Sequence, residues 1–137
     1  MFKKIMLPID LEHVERLEKA LHVGVDLARL YGSTICLVGV TAETPTAIAH
    51  NPSEYAQKLQ AVAADLAETN EVTAEAVAYA AHDPAVDLDK TLLQAAREAE
   101  ADLIVIASHV PGLPEHLFAS HGGAVASHAT MSVMVIR

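Results

Sequence analysis

The sequence predicts an α/β fold, a single doubly wound sheet of five parallel strands with helices on both faces. Three observations carry this. Short apolar runs recur at KKIMLPI, TICLVGV, DLIVIA and SVMVIR; they are too continuous for strands with one wet face and suit strands buried on both. Between them lie stretches with apolar residues at steps of three and four, the spacing of an amphipathic helix. Strands that alternate with helices need crossover connections, which are right-handed and set their strands parallel. The 137 residues make one domain, 1–137, with no linker, internal repeat or low-complexity tract.

The elements follow in order. Lys3 to Ile9 is the first strand, ended by Asp10. A helix is expected from about His13 to Tyr31, with Val14, Leu17, Leu21, Val25 and Ala28 inward. Gly32 is a natural stop. Thr34 to Val40 is the second strand. The stretch from Thr41 to Glu54, with Pro45 and Pro52, reads as a loop. Tyr55, Leu59, Val62, Ala63 and Leu66 mark a second helix. VTAEAVAYA alternates and reads as a third strand. His82-Asp83-Pro84 is a turn, with Pro84 opening a third helix that turns Leu88, Leu92, Ala95, Ala96 and Ala99 inward. Asp102 to Ala107 is the fourth strand. A loop with Pro and Gly follows, and Ser120 or His121 begins a short fourth helix. Ser132 to Arg137 is the fifth strand.

Composition excludes several classes. The formal charge of −9 argues against nucleic acid, which needs a basic footprint. No apolar run approaches the roughly 20 residues that span a bilayer, so no membrane is expected. The lone Cys36 permits no internal disulfide, and the cytoplasm is the expected compartment. Catalysis has little support, since Ser108–His109 and Ser120–His121 are chain neighbours rather than a triad and no paired carboxylates mark the crevice. The eight histidines include His109, His116, His121 and His128 in the loop and last helix. Their spacing is not that of metal ligands, so no metal is expected.

The whole chain resembles the universal stress protein family. The matching stretches are KKIMLPID, LARLYGSTICLVGV, HDPAVDLDKTLLQAAREAEADLIVIASH and HATMSVMVIR. The resemblance implies strand order 3-2-1-4-5, with the chain reversing between strands 1 and 4. Such a switch point is where open α/β sheets bind ligands. It further implies a non-enzymatic regulatory or protective role, an adenine nucleotide (ATP or AMP) as ligand, and a homodimer paired antiparallel through the last strand.

The family's G-x2-G-x9-G-[ST] pattern, laid down without gaps, falls on Ala107, Val110, Ser120 and His121, with none of its glycines. A branch with a loop one residue shorter registers better, because it also aligns HAxxSVxVxR. In that frame Ala107, Ser108, His109 and Ser120 are kept, Val110 stands for a basic residue, Ala119 for glycine and His121 for Asn. By this resemblance the nucleotide site comprises Pro8, Ile9, Asp10, Val40, Ala107, Ser108, His109, Ala119, Ser120 and His121.

Each residue also has a plainer reading. Asp10 either bonds adenine or ribose or simply caps the next helix. Ser120 either meets phosphate or caps the last helix. Val110 adds no charge where a cation would neutralise phosphate, and no Lys or Arg lies between Arg97 and Arg137. A weakened site is therefore expected, binding ATP or AMP poorly or not at all. His109 or His121, protonated below about pH 6.5, would supply the missing charge. Val133, Met134, Val135 and Ile136 form an apolar edge that invites a second chain. The other reading is a dimeric interaction module that binds no nucleotide and regulates a protein partner, such as a transporter or an enzyme.

Overall fold

The computed structural model describes residues 1–108 and 121–137. His109, Val110, His116, Ala119 and Ser120 lie outside the described residues. Five strands, β1 (Lys4–Pro8), β2 (Thr34–Ala42), β3 (Thr73–Ala81), β4 (Leu103–Ala107) and β5 (Ser132–Ile136), alternate with four helices. These are α1 (Glu18–Tyr31), α2 (Pro52–Asn70), α3 (Pro84–Glu98) and α4 (Gly122–His128). All neighbouring strands are parallel, in the order β3-β2-β1-β4-β5. The expected fold and strand order are therefore found, and the switch point lies between β1 and β4.

The register shows how both faces are covered. Leu7 pairs with Leu37, so Leu7 and Gly39 share a face. There Leu7 packs on Gly24 of α1, while Gly39 meets Tyr55 and Leu59 of α2. Val135 points to the opposite face and meets Gly122 of α4. The core is aliphatic, with Ile5, Leu37, Leu59, Leu92 and Ile104 among its fully buried members. Cys36 is buried in it, and burial, then the Glu75 charge, pushes its thiol up to about 11, so it stays an unreactive thiol at neutral pH.

Helix boundaries follow local chemistry. Gly32 closes α1 in the left-handed region (φ 66°). Asn51 caps α2 by accepting from the Glu54 N–H, and Glu54 reaches back to the His50 N–H. Asp83 caps α3 with Pro84 behind it.

Three boundaries differ from the sequence expectation, the simplest being that the second helix already begins at Pro52, inside the stretch read as loop, because Asn51 caps it there. The first helix does not begin at His13: a 3-10 segment spans Leu11–Leu17, with His13 at non-helical angles (φ −137°, ψ 42°), and α1 starts at Glu18. The Asp10 carboxylate takes the Glu12 N–H and the His13 ring, a local alternative to α-helical bonding. The second strand runs past Val40 to Ala42, so Thr41 is a buried strand residue rather than the start of a loop.

Candidate functional site

At the carboxyl ends of β1 and β2 the chain encloses a hollow of about 190 Å³. Asp10, Glu12 and His13 line one side, Val40 and Thr41 the strand end, Ile48 the loop, and Tyr55 the start of α2. Pocket volumes for drug-sized ligands run to roughly 300–1,000 Å³, so this hollow holds only part of such a ligand.

Its walls combine apolar surface with buried polar atoms. Asp10 is buried; its Oδ1 accepts from the Glu12 N–H at 3.0 Å, and its Oδ2 lies 3.0 Å from His13 Nδ1. Asp10 thus caps the 3-10 segment, while carboxylate oxygens with two lone pairs each keep capacity for a further donor. Thr41 is 6% exposed and Tyr55 5%. Among the described residues neither hydroxyl has a hydrogen-bond partner. Burial, then the nearby charges of Asp10 and Glu12, raises the Tyr55 phenol, which therefore remains a neutral donor. A Cβ on Gly39 would stand 2.5 Å from the Tyr55 oxygen; the glycine makes room for that ring.

The end of the crevice near β4 and β5 is built differently. Ala107 ends β4, and the Ser108 N–H donates to the Ile136 carbonyl at 2.7 Å. Ser108 shares an open hollow of about 620 Å³ with Lys19, Val23, Gly123, Ile136 and Arg137. Lys19 Nζ donates to the Arg137 carbonyl at 2.5 Å. Two cations absent from the local sequence around Ser108 are thus brought to it by the fold. The signal was legible: in a parallel sheet each crossover helix starts at the carboxyl ends of the strands, so the first turn of α1 faces the crevice.

The remaining sequence candidates distribute as follows. Pro8 and Ile9 are buried, and the Ile9 N–H continues the ladder to the Val38 carbonyl past the proline. Asp10 and Val40 meet in the first hollow, and Ser108 lines the second. His121 precedes α4, with its ring against the carboxylate of Asp89 on α3. The Asp89 carboxylate therefore sets a negative group directly beside the His121 ring. His109, Ala119 and Ser120 lie outside the described residues. Sequence reading missed Glu12, His13, Thr41 and Tyr55, because a helical pattern and a loop label hid their convergence.

β5 is an edge strand. Met134 and Val135 are each 37% exposed, with Val133 and Ile136 half-buried. No helix of the described residues is long and apolar enough to cross a membrane.

Comparison with known proteins places this geometry. Universal stress protein G of Salmonella typhimurium is 27% identical over 145 residues, covering all of both chains. A universal stress protein crystallised in complex with cAMP matches with a TM-score of 0.70 at 16% identity, over 99% of this chain and 97% of that one. The universal stress protein of Archaeoglobus fulgidus in complex with dAMP matches with a TM-score of 0.69 at 19% identity, over 98% of each chain. The model of the universal stress protein family matches residues 1–137, and the chain belongs to that family.

Proposed function

We propose that this chain is a non-enzymatic regulatory protein that reads the adenosine part of an adenine nucleotide, with little preference for ATP over AMP. The observation that carries this reading is the first hollow: a carboxylate acceptor at Asp10, an apolar wall at Val40 and Ile48, and two buried hydroxyls without partners among the described residues. Such hydroxyls carry a desolvation cost until a ligand meets them. The relatives solved with cAMP and dAMP supply the ligand class.

The phosphate side favours a weak triphosphate site. Lys19 and Arg137 are exposed, and Lys19 already donates to a carbonyl. Each is screened by water and salt. His121 has the Asp89 carboxylate beside it. Adenosine, AMP and ATP are to be titrated by calorimetry at pH 7.5. ATP is expected to bind no tighter than the high micromolar range, with AMP within about threefold, a difference of under about 0.7 kcal/mol. Low-micromolar ATP binding with a steep gain per phosphate overturns this reading. Loss of all three ligands leaves the interaction-module reading, in which the chain acts through a protein partner.

Either reading uses a homodimer through β5, supported by the exposed Met134 and Val135 on the edge strand. Light scattering at micromolar concentration tests it; a monomer there removes it.

A further inference from the structure

We propose that Asp10, Glu12 and His13 bind one first-row divalent cation of the zinc type, at the rim of the hollow at the ends of β1 and β2. One ligand atom from each residue falls within 4.8 Å of the others. Asp10 Oδ2 and His13 Nδ1 stand 3.0 Å apart. Tetrahedral ligands each about 2.0–2.2 Å from a common ion stand roughly 3.3–3.6 Å apart, so the pair opens by a few tenths of an ångström as its hydrogen bond gives way to the ion. The non-helical turn at His13 sets the ring beside the Asp10 carboxylate, and the Glu12 N–H holds the other carboxylate oxygen in place. Oriented first ligands are what a working metal site requires.

The donor set selects the ion. Two carboxylates and one imidazole are neither the all-oxygen cage of calcium or magnesium nor a thiolate site. Three protein ligands of this kind suit zinc with one position left open, and the two carboxylate charges balance the ion's. A separate observation points to the same place. The Tyr55 hydroxyl is buried, without a partner among the described residues, and lines this hollow. A water on the ion's open position gives that phenol an acceptor.

The ion and the proposed adenosine would draw on the same Asp10 carboxylate and Tyr55 hydroxyl, so each is titrated in the absence of the other. Zn2+ alone is titrated into the nucleotide-free chain by calorimetry at pH 7.5, with Mg2+ in parallel. One Zn2+ per chain is expected, with far weaker Mg2+ binding. Glu12→Gln and His13→Gln should each weaken Zn2+ by about tenfold or more, with unchanged circular dichroism. Asp10→Asn preserves a good helix cap and should weaken Zn2+ as well. Absence of Zn2+ binding to the wild type overturns the proposal. So does Zn2+ binding that all three variants keep, which would assign it to the other histidines. AMP binding measured in chelator-treated buffer reports on the nucleotide reading separately.

Discussion

The two ends of the crevice make their polar groups available in opposite ways. Beside β1 and β2, Asp10, Thr41 and Tyr55 are buried and fixed by packing. Beside β4 and β5, Lys19 and Arg137 are exposed and long, and only Ser108 is tied to the sheet through its backbone. A buried hydroxyl without a partner costs stability and discriminates between ligands. An exposed cation costs nothing and discriminates weakly. Selectivity is therefore expected to reside at the first end, and modest electrostatic attraction at the second.

The sharpest way to break this contrast is Gly39→Ala. The new methyl would sit 2.5 Å from the Tyr55 oxygen and 2.8 Å from its ring. Overpacking of this kind costs about 1–3 kcal/mol, readable as a lower denaturant midpoint, and adenosine binding should fall with it.

Tyr55→Phe sharpens the comparison because its two effects have opposite signs. Removing an unsatisfied buried hydroxyl should leave stability unchanged or raise it by about 1 kcal/mol, while adenosine binding weakens. Loss of stability together with unchanged binding would show that the hydroxyl has a structural partner instead.

A control lies at the other end of the strands. Asp102 accepts from the Lys3 and Lys4 N–H groups at 2.9 and 3.1 Å, joining β4 to β1. Burial alone would raise its carboxyl, but these backbone donors outweigh burial and hold it below its ordinary 3.8. A folded-state value below the unfolded one contributes stability that is present above pH 3.8 and lost as pH falls through the lower folded value. Asp102→Asn should therefore be less stable than wild type at pH 7, with the gap closing in acid melts below that point. Nucleotide binding should not change.

The smallest effect belongs to Lys19→Ala. An exposed cation contributes under about 1 kcal/mol, so ATP affinity should fall by less than about fivefold and adenosine affinity should stay put. A larger fall would make the second end a dedicated phosphate site.

The sheet was legible in the sequence because strands buried on both faces write themselves as apolar runs. β3, an edge strand, showed instead the alternation of a half-exposed one. Asp10, Val40 and Ser108 were legible as strand-end residues. The hollow's other walls were not. Thr41 is polar and was read as loop, although pairing with β3 carries it into the sheet. Tyr55 fitted the apolar stripe of its helix, and nothing in that stripe says where its hydroxyl ends. Glu12 fell between the first strand and the expected helix, and His13 was read as the start of that helix, whereas both lie in a 3-10 segment capped by Asp10. Lys19 shares the hollow of Ser108 because the topology sets the first turn of α1 at the crevice, which the order of strands and helices did announce.

The unlike edges of the sheet have a consequence for assembly. β5 presents Met134 and Val135, whereas β3 carries Glu75, held by Lys4 at 2.9 Å, and is preceded by Glu71. In the proposed homodimer, a two-fold pairing of β5 with its own copy would consume the apolar edge of both chains at once and leave β3, with its Glu75–Lys4 pair, at each outer end. Charged side chains on a border strand discourage further pairing. Such an isologous contact would close after two chains, so growth into longer ribbons would stop at the dimer.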